Sequence, residues 1–324
     1  MTQTFTSVAD VLSAFAFSAF RLTLRADEIL YLPSYKGSAL RGAFGHTLRR
    51  VICVSGNADC RECPVTDSCI YPYIFETRSA PDDPFLRNRD RTANPYIIRP
   101  PLDPQAEFRA GEEFAFELIL IGRAVEYLPY FVFAFIETGR TGLGRGKGRF
   151  TLSAVENIRS DRSLTPVYQN TDQILRDISR EITCEELLNA CPPPEKCTFR
   201  FLTRLELKEK SRYPDIRFGV LFRALLRRIT TLAHLHCGID CSGIDFAGLS
   251  HAADEIRTVS SNLSYEYAER YSNRQKRRMP FGGLIGDITF EGDLAPFLPF
   301  IRLGEWVNVG KKTTFGLGRY EIRG

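Results

Sequence analysis

Apolar and polar positions largely alternate through FAFSAFRLTLRA (residues 15–26), the period of two that a half-buried strand requires. A turn with Pro33 and Gly37 follows, and then SALRGAFGHTLRRVICV sets Leu40, Phe44, Leu48 and Val51 at helical spacing, with Ser38 in position to cap the helix. NPYIIRP and EEFAFELILIG (112–122) read as strands, EYLPYFVFAFIETG as a buried helix and RFTLSAV as a closing strand. The order of the first half is therefore β-α-β-β-α-β.

The second half repeats it. TFRFLTRLELK (198–208) predicts a strand, and a helix from about Asp215 to His236 carries Phe222, Leu226, Ile229 and Ala233 on one stripe. A less regular stretch separates this helix from the strand PFGGLIGDITFEG, the short helix LAPFLPFIRLG and the terminal strand RYEIRG. Before each closing strand stands a related glycine-rich run, TGLGRGKGRF at 141–150 and TFGLGRY at 314–320. The shared GLGR at one topological place points to an internal duplication. The predicted class is α+β, with two tandem ferredoxin-like (RRM-like) domains at residues 1–155 and 198–324 and a cysteine-rich insertion in the first near 53–69. Residues 156–197, with DRSLTPVYQNTD and CPPPEKC, read as a connector. Its Cys184, Cys191 and Cys197 lack ligand spacing and read as structural.

A length of 324 residues suits two such cores. No stretch supplies the ~20 uninterrupted apolar residues of a membrane span. The apolar run VLSAFAFSAFRLTL follows Asp10 and alternates like a strand, unlike a leader peptide. The expected setting is the cytoplasm, with no membrane partner. A net charge of +4 permits nucleic-acid binding without requiring it, so local charge has to decide.

The stretch VGKKTTFGLGRY is not a nucleotide loop. The spacing from Gly304 to Gly310 is too long for a P-loop, and Lys312 stands where a hydroxyl should meet magnesium. The glycines lead into a strand, which excludes a dinucleotide fingerprint. No nucleotide cofactor is expected. Lys311, Lys312 and Arg319 here, and Arg145, Lys147 and Arg149 in the twin loop, fit an extended polyanion such as RNA held by backbone N–H groups and cations. RYSNRQKRR (270–278) adds Arg274, Lys276, Arg277 and Arg278 as a phosphate-contacting run.

Four of the nine cysteines fall within residues 53–69 as C-x6-C-x2-C-x5-C, through Cys53, Cys60, Cys63 and Cys69. Four thiolates at this spacing suit a closed, structural zinc site, while an iron-sulfur cluster and free thiols remain alternatives.

The chain resembles the CRISPR-associated precursor-RNA processing endoribonucleases of the RAMP superfamily, the Cas-six type. The likeness rests on YKGSALRGAFGHTLRR, CRECPVTDSCIYPYIFE, RYSNRQKRRMPFGGLIGDITFEG and GEWVNVGKKTTFGLGRYEI. It implies metal-independent cleavage of CRISPR repeat RNA in antiviral defence. The ribose 2′-hydroxyl would attack the adjacent phosphate, leaving a 2′,3′-cyclic phosphate and a 5′-hydroxyl. It also implies precursor CRISPR RNA as partner, other Cas proteins as further partners, and a histidine in the first helix, a place that His46 occupies. Similar sequences often carry histidine just before V-G-K, where this chain has Asn308.

On the helical wheel, Leu40, Leu48 and Val51 lie within ~40° of Phe44, while His46 lies ~200° away. It faces outward with Arg49 and Arg50, as a base must. Tyr35 and Lys36, in the preceding turn, are the candidates for proton donor and phosphorane stabiliser. His236 reads as a core residue and His234 as the reserve candidate. The alternative function is a non-catalytic RAMP subunit that binds guide RNA within an effector complex. A zinc-dependent regulatory or redox module is a third.

Overall fold

The computed structural model describes residues 7–56, 59–78, 83, 85–86, 93–176, 181–189, 195–207, 216–272 and 276–323. The chain divides into two compact units. The first comprises Ala16–Ile182 with Leu235–Cys237, and the second Thr183–His234 and Gly238–Gly324 together with the N-terminal residues up to Phe15. Helix α1 (Val8–Leu12), capped by a reciprocal Ser7–Asp10 box, thus groups with the second unit.

The first unit runs β1 (Ala16–Ala26), β2 (Leu30–Tyr31), α2 (Gly37–Ile52), α3 (Ile70–Phe75), β3 (Tyr96–Arg99), β4 (Glu107–Phe108), β5 (Glu113–Ile121), α4 (Leu128–Thr141), β6 (Phe150–Ile158) and β7 (Leu164–Gln169). Its sheet is ordered β3, β5, β1, β6, β7, with antiparallel neighbours. The strands β1, β3, β5 and β6, with helices α2 and α4, form the ferredoxin-like β-α-β-β-α-β unit. Central β1 is buried on both faces at its start, through Phe17, Ser18, Ala19 and Phe20, and alternates beyond it, with Leu22 and Leu24 buried and Arg21 and Arg25 exposed.

Helix α2 lies in the core through Leu40, Phe44 and Leu48. The Phe44 ring stacks on Phe131 of α4 at 4.4 Å and meets Phe135 at 5.6 Å. Thr138 donates a buried hydrogen bond to Thr47 at 3.0 Å, a polar pin between the same helices. Two expectations need correction here. The N-cap is Lys36, with no side-chain bond, and Ser38 lies inside the first turn. Val51, predicted on the apolar stripe, is 37% exposed, because the last turn of α2 runs past the core.

The stretch read as a connector is structured in large part. It holds the end of β6, all of β7, β8 (Ile182–Thr183) and α5 (Cys184–Asn189). The prolines that signalled a linker include Pro166, which sits within β7, beside the register shift in its pairing with β6. Cys184 and Cys197 are buried, and Cys191 lies outside the described residues.

The second unit contains β9 (Lys196–Leu205), α6 (Phe218–Cys237), α7 (Phe246–Asp254), β10 (Arg257–Glu266), β11 (Glu269–Ser272), β12 (Arg277–Pro280), β13 (Gly283–Glu291), α8 (Leu298–Val307) and β14 (Tyr320–Arg323). Its sheet order β10, β13, β9, β14 repeats the order of the first unit. Strand β10 falls in the stretch read as irregular. It lies at the sheet edge with only Leu263 buried, so no alternation marks it. Phe199, Phe218, Phe222, Phe290 and Phe297 interlock edge to face in the core. Among the described residues no helix is long and apolar enough to cross a membrane.

Truncating Phe44 removes ring contacts to both α3 and α4. Phe44→Ala is expected to destabilise the first unit by about 3–5 kcal/mol, read as an earlier urea transition in the full chain.

Candidate nucleic-acid interface

Within the first unit the outer face of α2 carries His46 and, three and four residues on, Arg49 and Arg50. Side chains at these spacings are neighbours on a helix surface. His46 and Arg50 are exposed and Arg49 is half-buried. The Arg49 guanidinium lies 5.5 Å from the centre of the Tyr71 ring, and Arg50 faces Glu137 at 3.9 Å.

Lys36 departs from its expected role. Its side chain is fully buried, and Nζ donates to the carbonyls of Ser34 (3.3 Å) and Asp103 (2.8 Å) under the Phe108 ring. Burial pulls the amine down from its ordinary value, with Asp103 opposing. Lys36 therefore secures the entry to α2 and presents no charge to a phosphate. Tyr35, beside it, is half-buried.

The loop between α4 and β6 is shaped by backbone crowding. Gly144 has φ +76°, and a methyl group there would collide with the Tyr31 carbonyl oxygen. The N–H groups of Leu143, Arg145 and Lys147 donate to Gly148, Tyr31 and Gly144. These donors are already satisfied within the protein, contrary to the expectation of a backbone cradle. Arg149 grips Glu28 through Nε (2.8 Å) and Nη2 (2.6 Å), which holds the Glu28 carboxyl below its usual range. Arg145, stacked over Tyr31 at 5.1 Å, and Lys147 are exposed.

The corresponding loop of the second unit joins α8 to β14. Gly318, at φ +69°, leaves no room for a Cβ beside the Val309 carbonyl, and its N–H donates to Arg204 at 3.0 Å. Lys311 N–H donates to the Glu206 carbonyl at 2.7 Å, and Arg319 N–H to Thr203 Oγ1 at 2.9 Å. The Lys311 ammonium reaches Glu206 Oε1 at 3.1 Å, and Lys312 binds Oε2 of the same carboxylate and the Pro280 carbonyl. Burial pushes the Glu206 carboxyl up, but the hydrogen bonds from Lys312 and Lys311 outweigh it and hold it below the ordinary value. Two lysines expected to meet phosphate thus share one carboxylate and leave one net positive charge. Asn308 is fully buried and donates Nδ2 to the Leu317 carbonyl at 3.1 Å. Half-buried Arg228 donates Nε to the carbonyls of Val307 (2.8 Å) and Asn308 (3.1 Å), closing the end of α8. Burial pulls this guanidinium down to about 9.

The β11–β12 ribbon is an open basic surface of the second unit. Lys276, Arg277 and Arg278 are exposed, and Tyr271 stands opposite Arg278 in the register. Arg278 meets Glu269 at 3.6 Å on the ribbon surface. Arg274 lies outside the described residues. Tyr267 is 86% exposed, Tyr271 57%, and Tyr265 packs edge to face on Tyr267 at 4.7 Å. Cations interleaved with bare aromatic faces suit stacked nucleobases and phosphates.

His236 is a core residue, its ring nitrogens 3.3 Å from Tyr73 Oη and 2.7 Å from the Ala93 carbonyl. His234 is half-buried near Asp240. Sequence reading missed Glu206 and Arg228, whose partners are distant in the chain. It also missed Tyr265 and Tyr267, on and just beyond the unmarked strand β10. The three tyrosines within SYEYAERY, just before the basic run that ends at Arg278, were the available signal.

A family model described as an N-terminal domain, AF_1859_N, matches residues 15–187, more than half of the chain, and that of the CRISPR-associated endoribonuclease Cas6 matches residues 199–320. The chain belongs to the Cas6 type, with an N-terminal domain of the AF_1859_N family. This Cas6-type chain is 23% identical to an uncharacterized protein of Archaeoglobus fulgidus over 310 residues, 90% of this chain and 93% of that one. Among solved structures it resembles the Cas6 (TTHB231) product complex at 18% identity, covering 95% of this chain and 99% of that one, with a TM-score of 0.53. The Thermus thermophilus Cas6 (TTHB231) gives 0.52 at 16% identity, covering 95% of this chain and 99% of that one. A partial Cas6-RT-Cas1–Cas2 complex gives 0.57 at 14% identity, covering 97% of this chain and 47% of the other. These likenesses establish a shared fold.

The lysine clasp makes a pH-dependent prediction. A carboxyl with a lowered folded pKa stabilises above its unfolded value, near 4.5, and loses that contribution as pH falls through the folded value. Glu206→Gln is expected to cost about 1–2 kcal/mol in urea unfolding at pH 7. The gap should close as the pH is taken below 4.5.

Proposed function

We propose that the protein is an endoribonuclease that cuts CRISPR repeat RNA in precursor transcripts without a catalytic metal. Its 2′-hydroxyl attack would yield a 2′,3′-cyclic phosphate and a 5′-hydroxyl. The match of residues 199–320 to the Cas6 endoribonuclease family carries this reading. The chemistry needs a base at the 2′-hydroxyl, a proton for the leaving 5′-oxygen and positive charge at the phosphorane. His46 is the proposed base, on an exposed helix face where an RNA strand has access. Arg49 and Arg50, one turn on, replace Lys36 as the source of phosphorane charge. Tyr35 is the proposed proton donor. The ribbon carrying Lys276, Arg277 and Arg278, with its exposed tyrosines, is the proposed RNA-holding surface, joined by Arg145 and Lys147. Arg149, Lys311, Lys312 and Arg319 are assigned to loop architecture first. Other Cas proteins are proposed partners after cleavage.

The decisive assay incubates the full chain with its repeat RNA in EDTA and analyses the product ends. Cleavage to a cyclic phosphate is expected, falling at least 100-fold in His46→Ala. Binding without cleavage would instead favour a non-catalytic RAMP subunit that retains guide RNA. Unchanged cleavage by His46→Ala would remove His46 from the chemistry.

A second measurement addresses the ribbon. With a repeat RNA carrying a 2′-deoxy group at the scissile nucleotide, Arg277→Ala with Arg278→Ala is expected to weaken binding and lower the salt slope by about 2. An unchanged slope would place the RNA elsewhere.

A further inference from the structure

The segment joining α2 to α3 has little in its own composition to hold it in place. Among the described residues from Cys53 to Cys69 no side chain is buried, and regular structure is limited to two single 3-10 turns, Cys60–Glu62 and Thr66–Ser68. The bonds that close those turns are long, 3.4 Å from Cys63 N–H to the Cys60 carbonyl and 3.3 Å from Cys69 N–H to the Thr66 carbonyl. Burial of apolar surface is what usually orders a segment of this length, and small elements lacking it depend on a staple.

The cysteines occupy the fixed points of this segment. Cys53 is the C-cap of α2, Cys60 and Cys63 begin and follow the first turn, and Cys69 follows the second and is the N-cap of α3. All four are half-buried free thiols that line one cavity of ≈ 30 Å³. That volume accepts one small body. The Ser55 hydroxyl stands 3.9 Å from Cys53 Sγ and 3.3 Å from Cys63 Sγ, which brings these two sulfurs to a shared neighbour. Arg49 also lines the cavity, supplying a positive charge beside a group that becomes anionic with four thiolates around one divalent ion. Among the described residues no three of His, Cys, Asp or Glu already stand at metal-holding spacing. Zinc requires sulfurs at about 2.3 Å, so the two turns must close inward on the ion. Single turns with long hydrogen bonds and no buried side chain resist such a movement little.

We propose that Cys53, Cys60, Cys63 and Cys69 bind one structural zinc ion that closes this segment and ties the last turn of α2 to the first turn of α3. Binding releases the thiol protons and involves no electron transfer. A four-sulfur shell leaves no position for substrate, so the ion serves structure. By fixing the end of α2 it also sets the orientation of Arg49, which stacks on Tyr71 of α3. The proposal is independent of the RNA-cutting reading.

The test uses the full chain purified under reducing conditions. About one zinc per chain is expected by elemental analysis, released in step with mercurial titration of four thiols. Cys60→Ser with Cys63→Ser should lose the metal. Because that variant could fail to fold, wild-type protein stripped of metal is titrated with Co2+. The expected result is thiolate-to-cobalt charge transfer with intense tetrahedral d–d bands, saturating at one equivalent and displaced by zinc. Metal-free protein that takes up no cobalt would overturn the proposal. So would iron with acid-labile sulfide, or cobalt binding unchanged in the double variant.

Discussion

Each half of the chain depends on returning a fourth strand beside the first through a passage too narrow for a side chain. In the first unit the return passes the Tyr31 carbonyl at Gly144, and in the second the Val309 carbonyl at Gly318. Both positions also require a left-handed backbone, so glycine satisfies two demands at once. Once the loops are this tight, their N–H groups find carbonyls within the fold. The glycine runs that resemble a phosphate cradle are then explained first by strand pairing. The basic groups left exposed are side chains that project from the first of these loops and those on the ribbon of the second unit.

The elements legible in the sequence were those with one buried side. Helix α2 announced itself through Leu40, Phe44 and Leu48, and the outward direction of His46 followed from the same wheel. Strand β10 was invisible because nearly every side chain on it meets solvent, which removes the alternation on which strand reading relies. Pro166 misdirected the reading of residues 156–197 because a composition-based signal does not distinguish a linker from a strand that tolerates a proline.

Side-chain roles were less legible because their partners are remote in the chain. Nothing local marks Lys36 as buried, since its amine is held in part by the Asp103 carbonyl, 67 residues away. The fate of Lys311 and Lys312 likewise turns on Glu206, more than 100 residues earlier. Counting cations measures how much charge a segment carries but not how much of it remains available. The placing of His46, Arg49 and Arg50 on one helix face was legible because a single helix determines it.

The two return loops share a backbone course and differ in their electrostatic partners. Backbone passage fixes their course, while their charges are held by unrelated acids, Glu28 for Arg149 and Glu206 for Lys311 and Lys312. Steric necessity therefore preserves the shape of both copies, while each is free to acquire its own electrostatic neighbours. The likeness of the loops therefore lies in the backbone, and their differences lie in the acids that hold their charges.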